Sequence, residues 1–217
     1  MAKKHILVLG LKTFGMSIVK QLAKYNCEVL ALDKSMDRVE EADEFATEAI
    51  QIDTKDTDKM NSLSLNTFDV AIITLENVEE SIMAAMLLQE QGIPEIIVKS
   101  ISEMHKKILE KMGIDKIISP ETEMGIKLAK SIMNESVIDA INFSDEYSIV
   151  EINVLDKWIG KPLGKLFLRD NYGMNVLCIK NANKDLEIFP ALEYIVEESD
   201  ILVALADNNK LNESGLL

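Results

Sequence analysis

The sequence HILVLGLKTFG occupies residues 5–15 and combines a short apolar run, a glycine and the beginning of a helical pattern. The run Ile6–Leu9 is entirely aliphatic, which indicates a strand buried on both faces. Gly10 permits a tight turn, and Gly15 allows the following helix to pack closely against the strand. This stretch therefore predicts a strand, a turn and a helix in direct succession.

The same alternation of apolar run and helical pattern continues through residues 1–120. The predicted strands are Ile6–Leu9, Glu28–Asp33, Ala49–Asp53, Val70–Thr74, Ile96–Lys99 and Lys116–Ser119. The predicted helices between them are Gly15–Tyr25, Met36–Phe45, Asp56–Leu63, Val78–Gln91 and Ser102–Lys111. Strands that alternate with helices of this length form right-handed crossovers. The fold class is therefore α/β, with a Rossmann-like doubly wound parallel sheet in residues 1–120.

The alternation of apolar strands and helices ends at Pro120. One further helical stripe covers 121–136 and is predicted to link two domains. The segment 137–217 reads as a small α+β domain. Its predicted elements are a strand at Ser148–Leu155, a helix at Leu163–Tyr172, and strands at Asn175–Lys180, Leu186–Phe189 and Ile201–Leu205. A domain of this size has a marginal core, which favours stabilisation by dimerisation.

Composition narrows the range of partners. The chain of 217 residues has a formal charge of −14, and no basic run stands out, so nucleic acid and anionic lipid are poor partners. Cys27 and Cys178 lie in separate apolar runs, which indicates neither a metal site nor a disulfide framework and favours a reducing cytoplasm. No apolar stretch approaches the ~20 residues that a bilayer requires, so a membrane role would act through a partner.

The turn after the first strand lies where a dinucleotide-binding fingerprint is expected. Glycines usually stand at the first, third and sixth positions, but Lys12 occupies the third. Free N–H groups at the helix start attract an anion, and Lys12 would add a cation there. The alternative is a structural turn with two glycines and a solvated lysine.

Asp33 closes the second predicted strand, 23 residues after Gly10. A carboxylate at this spacing accepts hydrogen bonds from ribose hydroxyls and repels a 2′-phosphate, which favours adenosine, ATP, ADP or NAD over NADP. Further polar residues follow neighbouring strands at the same carboxyl edge of the sheet. They are Asp53, Thr54, Thr74, Glu76, Asn77 and Lys99, and for each the alternative is a solvated strand end.

Catalytic signals are sparse. The two histidines are His5, at the start of the first strand, and His105, inside a helix, and neither is placed for general-base catalysis. Glu121 follows Pro120 at a helix start, where it would ligate a hard cation held by phosphates or simply stabilise the helix dipole. The methionines on helix faces, such as Met83 and Met86, indicate core or subunit packing. The sequence therefore favours a protein that is not an enzyme.

Several ordered features together resemble one family. They are the loop GLKTFG, Asp33, Asp53-Thr54, Lys99, Leu109–Gly113 and Ser119–Glu121, followed by Ser144–Glu151, Ile159–Leu163 and Tyr172–Val176. Over essentially its whole length the chain is similar to the KtrA/TrkA-type regulatory subunits of bacterial potassium uptake. Those proteins carry an N-terminal and a C-terminal RCK (regulator of potassium conductance) domain.

The resemblance implies a cytoplasmic gating subunit, peripheral to the membrane, that assembles as a homodimer-based octameric ring on a KtrB/TrkH-type potassium-translocating partner. ATP and ADP would switch it, with NAD or NADH as alternative ligands. The implied nucleotide contacts are Gly10, Lys12, Thr13, Phe14, Gly15, Asp33, Lys34, Asp53, Thr54, Thr74, Glu76 and Lys99. Glu121 would help to place Mg²⁺ or Ca²⁺ at ATP. Related proteins bind cyclic di-AMP at positions that correspond to Arg169, Asn175, Val176 and Pro190.

The phosphate loop departs from the family pattern GLGRFG at two positions. Lys12 replaces a glycine, and Thr13 replaces the arginine that usually senses the γ-phosphate. Either Lys12 takes over phosphate sensing, or this chain discriminates poorly between ATP and ADP. Two other functions stay open at this point: a small NAD-dependent dehydrogenase and a stand-alone nucleotide sensor.

Overall fold

The computed structural model describes residues 3–133, 137–144, 146–183 and 185–216. The chain forms two compact units, Met1–Pro120 and Glu121–Leu217. Residues 134–136, at the end of the predicted linker helix, lie outside the described residues.

The first unit is a parallel sheet flanked by helices. Its strands are β1 (Lys4–Leu9), β2 (Cys27–Asp33), β3 (Glu48–Gln51), β4 (Val70–Ile73), β5 (Glu95–Lys99) and β6 (Lys116–Ile118). Its helices are α1 (Thr13–Leu22), α2 (Met36–Asp43), α3 (Thr57–Ser62), α4 (Val78–Glu90) and α5 (Glu103–Met112). The strand order β3-β2-β1-β4-β5-β6 is that of a doubly wound Rossmann-like sheet, which confirms the predicted fold.

Alternate residues of β1 point into two separate cores. Ile6 and Val8 pack on the face covered by α1 and α2. Leu7 and Leu9 pack on the face covered by α3, α4 and α5. A strand with helices on both faces needs apolar residues at every position, which explains the uninterrupted aliphatic run.

Helix α4 begins at the predicted residue, Val78, and ends one residue before the predicted end, Gln91. The side chain of Asn77 accepts a hydrogen bond from the backbone N–H of Glu80 at 2.9 Å, so Asn77 is the N-cap. Gly92 follows the helix with φ +75°, a left-handed conformation that glycine adopts without strain. The cap fixes the loop between β4 and α4 at the carboxyl edge of the sheet.

The second unit is built on an antiparallel sheet. Its elements are α6 (Pro120–Met133), β7 (Val137–Asn142), β8 (Tyr147–Asn153), α7 (Leu168–Tyr172), β9 (Met174–Lys180), β10 (Leu186–Ile188), β11 (Ile201–Asp207) and α8 (Asn208–Glu213). The strand order is β10-β9-β11-β8-β7. Trp158 contributes to its core and meets Tyr172 edge to face, with ring centroids 5.3 Å apart.

Three elements of the second unit differ from the sequence prediction, and one of them is α8, which was not predicted. The helix predicted at Leu163–Tyr172 is wrong, because the chain forms a 3-10 turn at Leu163–Lys165 and then α7. Phe167 separates the two with φ +49°, and a left-handed residue interrupts a right-handed helix. Strand β7 was not predicted and pairs with β8 as an edge strand.

Among the described helices, none is both long enough and apolar enough to cross a membrane.

Candidate functional site

A cavity of about 260 Å³ lies at the carboxyl edge of the parallel sheet in the first unit. Ligands of open α/β sheets bind at this edge, where the strand order reverses next to β1. The lining residues come from the ends of β1 and β2, the β3–α3 loop, the β4–α4 loop and the first turns of α2 and α4. They are Gly10, Lys12, Asp33, Lys34, Arg38, Ile52, Thr54, Thr74, Leu75, Glu76, Asn77 and Glu80.

The turn between β1 and α1 requires both of its glycines. Gly10 has φ +92°, and an added Cβ would lie 3.0 Å from the backbone of Leu75. A Cβ on Gly15 would lie 1.9 Å from the carbonyl oxygen of Gly10. Thr74 fixes the same carbonyl by donating a hydrogen bond from its Oγ1 at 2.6 Å. The N-terminus of α1 therefore approaches the sheet edge closely, as an anion site at a helix start requires.

Asp33 is the most firmly held carboxylate of the cavity. Its Oδ2 accepts hydrogen bonds from Leu11 N–H at 2.7 Å and from Arg38 Nε at 3.0 Å. Its Oδ1 accepts from Ser35 N–H at 2.8 Å and from Arg38 Nη2 at 2.7 Å. Both oxygens therefore have protein donors, and a ribose would have to share or replace the bonds from Arg38.

The protonation state of Asp33 follows from these contacts. Burial alone would raise the pKa of Asp33, but the hydrogen bonds from Arg38, Leu11 and Ser35 outweigh it and hold the pKa below its ordinary value. The hydrogen bond to Asp33 in turn raises the pKa of Arg38. Asp33 is thus a buried anion at neutral pH, able to accept hydrogen bonds from a diol.

The other charges of the cavity also occur as pairs. Lys12, in the loop between β1 and α1, forms an ion pair with Glu76, in the loop between β4 and α4. Glu80, with a side chain 10% exposed, lies 3.4 Å from Lys34 Nζ and 3.3 Å from Lys55 Nζ. Each lining cation therefore already faces a carboxylate before any ligand binds.

Most of the predicted contact residues come together in the cavity. Gly10, Lys12, Asp33, Lys34, Thr54, Thr74 and Glu76 all line it. Thr13, Phe14, Gly15, Asp53 and Lys99 are not among its lining residues. Gly15 is buried beneath the loop and shapes it, whereas Asp53 accepts a hydrogen bond from the N–H of Lys55 at 3.0 Å. Ligand contact by these residues stays a prediction.

Three lining residues were not predicted from the sequence: Arg38, Ile52 and Glu80. Leu75 and Asn77 lie in the segment 74–77, which was expected at the carboxyl edge of the sheet. Arg38 carried a usable signal, because a residue in the first turn of the helix after β2 can reach back to the carboxylate that ends the strand. Its separation of five residues from Asp33 fits that geometry.

Glu121 and the two histidines lie outside the cavity. Glu121 is exposed in the first turn of α6. Within the part of the chain that the structure describes, no three His, Cys, Asp or Glu side chains could hold a metal ion together. A cation at Glu121 would therefore need oxygens from a nucleotide or a second chain. His105 is buried in α5, where desolvation lowers its pKa, and His5 pairs with Glu28 at 3.6 Å.

The four residues predicted to bind cyclic di-AMP belong to the second unit. Arg169 is exposed in α7, and Pro190 follows β10. Asn175 and Val176 are consecutive on β9, so their side chains face opposite sides of the sheet, with Val176 packed against the core. Binding of this ligand stays a prediction.

Comparison with known proteins gives consistent matches. The TrkA-N domain model matches residues 6–120. The Ktr system potassium uptake protein A of Bacillus subtilis is 38% identical over 203 residues, which cover 93% of this chain and 91% of that protein. Protein C of the same system and organism is 35% identical over 204 residues, covering 94% of this chain and 92% of that protein.

A solved structure shares the fold. The RCK domain of GsuK superposes with a TM-score of 0.66 at 17% identity. The match covers 97% of this chain and 46% of that longer chain.

Proposed function

This chain belongs to the TrkA-N family of Ktr-type potassium uptake proteins, and we propose that it is a regulatory subunit switched by an adenine nucleotide. The ligand would bind in the cavity at the carboxyl edge of the first unit. The subunit would act on a potassium-translocating membrane protein of the KtrB/TrkH type. This role places the chain in the cytoplasm, at the inner face of the membrane.

The near full-length match to Ktr protein A carries this proposal. A Rossmann-like sheet alone serves many unrelated functions, so the fold cannot identify the activity. The match extends through both units and nearly the whole of the relative. It also argues against the alternative of a small NAD-dependent dehydrogenase, because the relatives are named for potassium uptake.

The geometry of the cavity supports an adenine nucleotide as the ligand. The start of α1 offers backbone N–H groups to phosphates, and Asp33 offers a buried carboxylate to a ribose diol. ATP and ADP are the proposed ligands, and NAD is the alternative that the same features would accept. Mg²⁺ or Ca²⁺ would accompany ATP through its phosphate oxygens and Glu121.

Nucleotide binding would shift the equilibrium between two states of an oligomeric assembly. A ligand shifts a two-state equilibrium only by the difference between its affinities for the two states, usually about 1–3 kcal/mol. ATP and ADP differ by one phosphate, so that phosphate must supply the difference. We propose that the switched assembly is a homodimer-based ring, within which this chain is one protomer.

Potassium flux tests the proposal directly. Proteoliposomes carrying the potassium-translocating membrane subunit of the same organism would be loaded with this chain and then given ATP or ADP. We expect flux to depend on the chain and to be higher with ATP than with ADP. Flux that is indifferent to the chain under both conditions would overturn the regulatory role.

A further inference from the structure

The charges that line the cavity balance each other. Three cations face three carboxylates as the pairs Lys12–Glu76, Arg38–Asp33 and Lys34–Glu80. A phosphate-bearing ligand cannot reach one of these cations without competing with its carboxylate. The question is which carboxylate gives way.

Two of the three carboxylates are held by additional donors. Asp33 also accepts hydrogen bonds from the backbone N–H groups of Leu11 and Ser35 and is buried. Glu80 is buried and contacts a second lysine, Lys55. Displacing either would leave a charge in a poorly solvated place, which is costly.

Glu76 differs from both. Its side chain is 47% exposed, and among the residues that the structure describes Lys12 is its one ion-pair partner. It lies in the loop between β4 and α4, and no secondary structure restrains it. Exposed ion pairs of this kind contribute little and exchange readily with water and ions. Glu76 is therefore the carboxylate that can move.

Lys12 is the N-cap residue of α1 and lines the cavity, and its ammonium group contacts Glu76. The N–H groups at the start of a helix attract a phosphate, so a phosphate bound there would lie close to the residue that carries this ammonium group. Glu76 lies close enough to act on Arg38 as well: after Asp33, it is among the groups that raise the pKa of that residue. The Glu76 carboxylate would therefore still act electrostatically on the cavity after it moved away from Lys12.

We propose that Glu76 occupies the phosphate position on Lys12 in the free chain and is a specificity-determining residue that penalises ligands according to their negative charge. The proposal rests on nucleotide binding at this cavity. Ligand phosphate would displace Glu76 from Lys12, and each further phosphate would meet the repulsion of the displaced carboxylate. The ratio of AMP affinity to ATP affinity would therefore be higher with Glu76 than with an uncharged residue at this position.

Calorimetric titration of the full chain with AMP, ADP and ATP, at low and fixed ionic strength, tests this inference. In Glu76→Gln we expect ATP to bind about threefold to tenfold more tightly, ADP to gain less and AMP least. Glu79→Gln is the matched control, because Glu79 carries the same charge, is exposed on the first turn of α4 and does not line the cavity. It should leave the ratio of ATP to AMP affinity unchanged.

A second variant separates competition from general repulsion. Lys12→Met removes the cation for which Glu76 and phosphate compete, and we expect it to weaken ADP and ATP binding. Unchanged affinities in Lys12→Met, or the same ratio of ATP to AMP affinity in wild type and Glu76→Gln, would overturn the inference while nucleotide binding itself stood. If no variant, including the wild type, bound any of the three nucleotides, the proposed function would be overturned instead.

Discussion

Arg38 and Asp33 form an ion pair with two hydrogen bonds inside the cavity, where a ribose is proposed to bind. The guanidinium donates to both carboxylate oxygens, at 3.0 and 2.7 Å, and its side chain is 29% exposed. A pair with this geometry fixes the carboxylate more firmly than a single contact would. Arg38 therefore positions Asp33 in the free chain and would become available to the ligand when ribose replaces it.

The free energy of unfolding of an Arg38 variant tests whether Arg38 stabilises the ionised Asp33. Because the pKa of Asp33 is lowered in the folded chain, its contribution is present above the unfolded value of about 3.9 and is lost as the pH falls through the folded pKa. We expect Arg38→Gln to lower the free energy of unfolding by about 1–2 kcal/mol near pH 7. The difference from wild type should shrink below about pH 4. Urea unfolding between pH 3 and pH 7 measures both.

Arg169→Gln is the control for that experiment, since the only other arginine of the chain is exposed and belongs to the second unit. It should change the free energy of unfolding little at any pH. A loss in Arg38→Gln that stayed constant from pH 3 to pH 7 would mean that Arg38 does not act through the ionised Asp33.

The residues of the site were only partly predictable from the sequence. Asp33 could be found because it ends an apolar run at a characteristic distance from Gly10. Arg38 could have been found from its position in the first turn of the next helix, five residues after Asp33. Glu80 could not, because a charged residue on a helix is usually solvated and its contacts are with Lys34 and Lys55, which are distant in sequence. The pairing of Lys12 with Glu76, 64 residues away along the chain, is invisible to any local pattern.

At the scale of elements, the close contact of α1 with β1 makes Gly15 irreplaceable. We expect Gly15→Ala to destabilise the chain by about 1–3 kcal/mol or more, because its Cβ would overlap the carbonyl oxygen of Gly10 and the backbone would have to shift. Gly125→Ala in α6 is the matched control. No described atom lies within 4 Å of its added Cβ, so alanine should stabilise that helix by about 0.5–1 kcal/mol.

Chemical unfolding of both variants measures these changes. The result that would contradict the packing of α1 on β1 is a Gly15→Ala chain as stable as wild type. If Gly125→Ala lowered the free energy of unfolding as much as Gly15→Ala, the loss of stability would be a general effect of replacing glycine by alanine.

The parallel sheet was predictable because its central strands, such as β1 and β4, are buried on both faces and contain uninterrupted aliphatic runs. The second unit was harder, because its strands alternate and its connections depend on individual backbone conformations. Nothing in the residue type of Phe167 predicts φ +49°, yet that residue replaces one long helix by a 3-10 turn and the short α7. Tertiary packing decides such positions.

In the whole molecule, the two units are proposed to bind different ligands. Hydrogen exchange measured with ADP should show protection at the β1–α1 loop, the end of β2 and the β4–α4 loop, since these segments line the cavity. Cyclic di-AMP, if the predicted second site exists, should protect segments around Arg169, Asn175 and Pro190. Protection by ADP confined to the second unit would show that the cavity is not the nucleotide site.

The central claim is that an adenine nucleotide binds at the carboxyl edge of the parallel sheet. Calorimetric titration of ligand-free, folded full-length chain with ADP and ATP tests it most directly, with Asp33→Asn as the variant that locates the site. We expect saturable binding of one nucleotide per chain, weakened about tenfold or more in Asp33→Asn because a buried charged acceptor is lost. No saturable heat for any adenosine compound with folded wild-type protein, or equal affinity in Asp33→Asn, would contradict it.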